Sequence, residues 1–141
     1  MSYPLQPITI TAATTLSKDT HAGAVVVLDS TTGRIITLPA STGKGDVYTI
    51  YVKTTVSSGS HVIQVANSTD VMNGGVALST DIGGTNMLAS ATSDTITMNG
   101  STTGGLAGSM VTLTDVVAGF WMVSGFLVTT GTEATPWSAA V

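Results

Sequence analysis

Residues 28–50 run from an apolar Leu28 through Asp29-Ser-Thr-Thr-Gly33 into Arg34-Ile-Ile-Thr-Leu38 and stop at Pro39. They then pass the turn Thr42-Gly-Lys-Gly-Asp46 and enter a second alternating stretch from Val47 to Ile50. The same order returns sixty residues later, at Leu88, Thr95-Ile-Thr-Met98, Asn99-Gly-Ser-Thr-Thr-Gly-Gly105 and Ser109-Met-Val-Thr-Leu113. Alternation with a period of two marks a half-buried strand, and Gly/Ser/Thr/Pro clusters mark the turns between strands. A chain that repeats strand, turn and strand is confined to scaffolds of paired strands, and almost nothing in this repeat carries chemistry.

Composition points the same way. Thr, Ser, Gly, Val and Ala dominate, with a single glutamate, so β-branched residues are abundant and the good helix formers are scarce. At 141 residues the chain fits one domain with a sizeable core. The expected fold is all-β: a single sandwich or barrel of about eight strands, built from two similar four-strand units. Residues 1–7 read as an extended N-terminal arm, 8–130 as the all-β domain and 131–141 as a C-terminal tail.

Within that body, Ile8-Thr-Ile-Thr11 is a first strand. Ala24-Val-Val-Val-Leu28 is continuously apolar and is expected to be buried on both faces. Asp29-Ser-Thr-Thr-Gly33 has the size of a hairpin loop. From 47 to 53, Val47, Thr49 and Tyr51 share one face and Tyr48, Ile50 and Val52 the other, so at least one tyrosine belongs to the core. Residues 67–84 read as a long polar connection holding an apolar island, Val76-Ala-Leu78. The stretch from Gly119 to Thr130 contains Phe120, Trp121 and Phe126 and is the expected core strand. No segment sustains a 3.6-residue period, so any helix is a single short turn.

Charge narrows the function. Only 9% of residues are charged, against about 25% in an ordinary soluble domain. The net charge is −4, with four basic residues at Lys18, Arg34, Lys44 and Lys53. That leaves no basic stripe to neutralise phosphates, so nucleic acid is not an expected partner. The longest apolar run is far short of the ~18 residues of a membrane span, so no membrane is expected either. No basic segment followed by an apolar core opens the chain, and the expected site of synthesis and assembly is a cytoplasm. A neutral, hydroxyl-rich surface suits a protein covered by neighbours, and equally a stable secreted or surface β domain.

The search for chemistry finds none. There is no cysteine, which removes disulfides, thiolate metal sites and cysteine nucleophiles. His21 and His61 are the only imidazoles, and a metal site needs at least three converging ligands. Gly43-Lys-Gly45 and Gly104-Gly-Leu-Ala-Gly108 open no helix, so they are turns rather than phosphate loops. Asn67-Ser-Thr-Asp70-Val-Met-Asn73 has oxygen ligands without the spacing or glutamate of a calcium loop. No metal, cofactor or enzymatic activity is expected.

Several stretches together resemble a known family. They are Ile36-Thr-Leu-Pro-Ala-Ser-Thr-Gly43 with Val47-Tyr-Thr-Ile50, Ile63-Gln-Val-Ala-Asn-Ser-Thr-Asp-Val-Met72, and Asp94-Thr-Ile-Thr-Met-Asn-Gly-Ser-Thr-Thr-Gly-Gly105. Ala118-Gly-Phe-Trp121 and Gly131-Thr-Glu-Ala-Thr-Pro136 complete the set. In that order, over nearly the whole chain, they resemble small structural proteins of tailed bacteriophages, the head decoration, cement or head-fibre proteins. The resemblance implies a virion protein on the outer capsid surface, with the major capsid protein as partner and a homotrimer as its form. Tyr3, Pro4, Leu5 and Pro7 in the arm, and Pro136 and Trp137 in the tail, are the expected interface residues, because both segments are too short to bury apolar side chains alone. The Leu-Pro-Ala-x-Thr-Gly piece also looks like β modules of tail fibres. The alternative function is therefore a fibre module that binds a host glycan or receptor.

Overall fold

The computed structural model describes residues 5–141, so Tyr3 and Pro4 of the expected arm lie outside the described residues. In chain order the first strands are β1 (Ile8–Ile10), β2 (Thr14–Thr15), β3 (Val25–Leu28), β4 (Ile35–Thr37), β5 (Val47–Val52) and β6 (His61–Gln64). They continue as β7 (Val71–Thr80), β8 (Gly83–Leu88), β9 (Thr95–Met98), β10 (Met110–Val117), β11 (Phe120–Val128) and β12 (Trp137–Ser138). One helical turn, α1 (Lys18–His21), lies between β2 and β3.

The strands form two mixed sheets that share one core. The larger has seven strands in the order β1-β3-β5-β10-β11-β7-β8, the smaller five in the order β12-β9-β6-β4-β2. Val26, Leu28, Ile50 and Leu113 from the larger sheet meet Ile36, Ile63, Ile96 and Met98 from the smaller, all essentially inaccessible. Tyr48 and Trp121 meet edge to face in this core, ring centroids 5.7 Å apart, a favoured aromatic geometry. The all-β, single-domain expectation is what the structure shows, with twelve strands in place of about eight.

The first half of the chain is built differently from the expected hairpins. β1, β3 and β5 are parallel neighbours in the large sheet, with Ile8 opposite Val26 and Val26 opposite Ile50. β2, β4 and β6 are parallel neighbours in the small one, with Ile36 opposite Ile63. The chain therefore alternates between sheets from β1 to β6, and each loop is a crossover. Residues 29–33 bridge the sheets and are not a hairpin loop. Parallel neighbours need a connection long enough to return to the same end, and here the strand in the other sheet supplies it. The run 24–28 is buried on one face only, because Val25 and Val27 look outward while Val26 and Leu28 look in.

The second half is mainly antiparallel: β5 with β10, β10 with β11, β7 with β8, β6 with β9. Most of residues 67–84, expected to be a polar connection, belongs instead to the hairpin β7–β8. β7 carries Gly74 and Gly75, which mask its pattern; Gly74 takes φ +120°, and a Cβ there would collide with the Val123 carbonyl of neighbouring β11. The repeat holds at the level of path, since β3-β4-β5 and β8-β9-β10 both run from large sheet to small to large.

The tail is part of the body. β12 pairs with β9, Trp137 opposite Ile96, and the Trp137 indole N–H donates to the Met87 carbonyl at 3.0 Å. This ties the edge of the small sheet to the edge of the large one. Pro136 and Trp137 are buried in the protein's own core, which removes them from any surface open to a partner.

Candidate assembly surface

The outward face of the seven-stranded sheet is free of charge and apolar apart from a band of hydroxyls and one amide. The strand registers place Val27, Tyr51, Met110, Phe126 and Ala77 side by side across five strands. A hydroxyl row, Thr49, Thr112 and Ser124, runs next to it and ends on Val25. Beyond that come Val47, Thr114, Met122 and Asn73. Met122 is 52% exposed and Phe126 45%. Within the seven strands the only charged residue is Asp115, which points inward and is 3% exposed.

Scattered exposed apolar side chains are ordinary, whereas a contiguous patch marks a contact surface. Strands ~4.8 Å apart and ~10–33 Å long give this face a projected area of roughly 700 Å². A standard protein interface buries about 800 Å² per partner. The face therefore has the extent and character of an interface.

Its rim is held by inward-turned carboxylates. Oδ1 of Asp115 accepts the Ser41 hydroxyl at 2.7 Å and the Gly43 N–H at 2.8 Å, and Oδ2 accepts the Thr42 N–H at 2.8 Å and the Thr42 hydroxyl at 3.1 Å. Asp70 accepts the Ser41 N–H at 2.8 Å and is itself set by an Asx turn on Asn67. The Ser41 hydroxyl in turn accepts the Gly119 N–H. Three loops, around residues 41, 70 and 118, are thus locked together where Val117, Phe120 and Met122 emerge. A bulge between Asp115 and Val117 leaves both Val116 and Val117 exposed there. Burial alone pushes the Asp115 carboxyl up, but the Thr42 N–H, Ser41 hydroxyl, Gly43 N–H and Thr42 hydroxyl outweigh it and hold the pKa below its usual value.

The remaining polar groups serve the fold. Both imidazoles are buried and accept a backbone N–H on Nδ1, His21 from Ser17 at 2.9 Å and His61 from Arg34 at 3.1 Å. Desolvation lowers the His61 pKa, helped by the nearby Arg34 charge. Asp29 binds the Thr54 hydroxyl at 2.6 Å and Lys53 at 3.0 Å, and Lys18 lies 3.5 Å from Asp46. Asn67 and Asn99 both close turns. Among the described residues no three of His, Asp and Glu converge as a metal site would require.

Of the residues expected at an interface, Leu5 and Pro7 are exposed at the start of the described chain. The exposed apolar side chains of the large sheet are instead Val25, Val47, Met110, Phe120, Met122 and Phe126; of these, Val25 was expected to be buried and Phe120, Met122 and Phe126 to lie in the core strand. One signal was present: β11 is apolar at both parities, Phe120, Met122 and Phe126 alternating with Trp121, Val123 and Leu127. Here the inward parity is sealed in the core and the outward parity is left exposed. Comparison with protein-family models, with curated proteins and with solved structures finds no match to this chain.

Proposed function

We propose that this protein is a structural component of a bacteriophage virion, which decorates the outer capsid surface and stabilises it through symmetric contacts as a homotrimer. The major capsid protein is its partner. The charge-free apolar face of the seven-stranded sheet carries this reading. A neutral face of interface size suits a rigid body that is covered on assembly, and the sequence resemblance supplies the virion as the place. A fibre module that binds glycans is less well supported, because such sites stack sugars on accessible aromatic rings. Trp121, Trp137 and Tyr48 are all buried, so the accessible aromatic rings among the described residues are Tyr51, Phe120 and Phe126, on an outer face whose strands offer no charged group to hold sugar hydroxyls.

The test is binding to assembled, undecorated capsids and to free capsid subunits, with the mass in solution measured by light scattering. The expected result is a trimer that binds capsids and ignores free subunits. A monomer at high concentration with no capsid binding overturns the proposal.

A further inference from the structure

The seven-stranded sheet ends at β8, with no strand beyond it among the described residues. The direction of its backbone groups follows from one bond. The Ala89 N–H donates to the Gly74 carbonyl at 2.9 Å, in register with Leu88 opposite Gly75 and Met87 opposite Val76. Bonded and non-bonded pairs alternate along an antiparallel ladder. Gly83, Thr85 and Met87 therefore turn their N–H and C=O groups toward β7, while Gly84, Asn86 and Leu88 turn theirs outward. These outward groups are directional, and a strand satisfies them in full.

Open edges are normally guarded by lysine, proline, a bulge or extreme shortness. β8, Gly-Gly-Thr-Asn-Met-Leu, has no charge and no proline, and its six pairs with β7 run without a break. Leu88 is 77% exposed and Ile82, at the hairpin tip, 92%. Beside the strand, a cleft of about 380 Å³ opens on the outer face between Gly75, Ala77, Asn86, Leu88, Ser124 and Gly125.

We propose that β8 pairs antiparallel with β8 of a second copy across a two-fold axis, with Asn86 opposite the partner's Asn86. The sequence complements itself in this register. Leu88 lies over the partner's Gly84, Met87 faces the partner's Thr85, and no like charges meet, so a larger side chain stands opposite a smaller one on either side of the central asparagine pair. Asp81 falls beyond the paired segment. A foreign strand bearing charge gains nothing here, since β8 offers no charge to pair with it. The contact joins two seven-stranded sheets edge to edge and makes their outer faces one surface.

A paired edge ~20 Å long and ~10 Å thick covers on the order of 200 Å² per partner, well under the ~800 Å² of a standard interface. The contact is therefore weak between free molecules and effective when copies are held side by side. It is a two-fold contact, independent of the three-fold association and of capsid binding proposed above.

The chain has no cysteine, so Asn86→Cys introduces a single thiol. Opposed residues of a bonded antiparallel pair have Cα atoms ~5.5 Å apart, within disulfide range. Under mild oxidation Asn86→Cys is expected to form dimers at least tenfold faster than Ala107→Cys, an exposed loop control on another part of the surface. Adding Leu88→Lys is expected to bring the rate down to that of the control. Equal rates for the two single variants, or a fast rate unaffected by Leu88→Lys, overturn the proposal. Loss of capsid binding or of the trimer has no bearing on this readout.

Discussion

Replacing Met122 and Phe126 together by aspartate is expected to abolish capsid binding while leaving the fold in place. Both side chains point out from β11, each about half exposed, and neither belongs to the core cluster. Substitutions at such positions change stability by about 0.5–1 kcal/mol each, within the spread of strand preferences. At an interface the same two changes remove apolar anchors and bury two unpaired charges. Loss of one central anchor costs about 2 kcal/mol or more, so the pair is expected to weaken binding at least ~1,000-fold. Sedimentation with capsids measures the binding and a thermal melt the fold. Binding within a few-fold of the wild type would show that another face makes the contact.

The second large effect concerns stability. Asp115→Ala deletes a buried carboxylate that satisfies two backbone N–H groups and two hydroxyls of Ser41, Thr42 and Gly43. Buried donors left without an acceptor cost about 1–3 kcal/mol each, and a broken buried network about 3–5 kcal/mol in all. Asp115→Ala is expected to lose about that much in urea unfolding, and Asp115→Asn a comparable amount, because each carboxylate oxygen accepts a backbone N–H and the amide nitrogen would set a donor against one of them. The same groups set the acid limit. The folded Asp115 pKa is lowered, so its contribution is complete above the unfolded value of about 4 and is lost as pH falls from there through the folded value. His61 is also lowered in the folded state. The unfolded chain takes up a proton first, and stability falls as pH drops below about 6.5. Stability is therefore expected to decline in two stages on acidification, with His61→Gln removing the upper stage.

The strands themselves were legible because period-two alternation survives in β4, β5, β6, β9 and β10. The connections were not. Asp29-Ser-Thr-Thr-Gly33 has the length and residues of a hairpin loop, and local chemistry cannot tell a turn within a sheet from a step between sheets. That choice is made by Leu28 and Ile36, which must meet in one core from two directions. β7 and β8 were hidden for another reason. Gly74 and Gly75 are needed where β7 packs tightly on Val123 and Leu88, and they erase the pattern that marks a strand. The tail was misplaced because a lone Trp137 looked unsupported in sequence, whereas Ile96 and the Met87 carbonyl receive it from distant segments. The assembly surface was half visible: the apolar run in β11 was plain, but which parity faced outward depended on its pairing with β7 and β10.

Methionine oxidation tests the central claim most directly, because the chain carries its own controls. Met110 and Met122 are 41% and 52% exposed on the outer face, while Met72 and Met98 are sealed in the core. In the free protein the first pair is expected to oxidise rapidly and the second slowly, since susceptibility follows exposure. On the assembled virion shell, Met110 and Met122 are predicted to fall to the slow rate of Met72 and Met98. Unchanged rapid oxidation of both in the bound state would contradict the account.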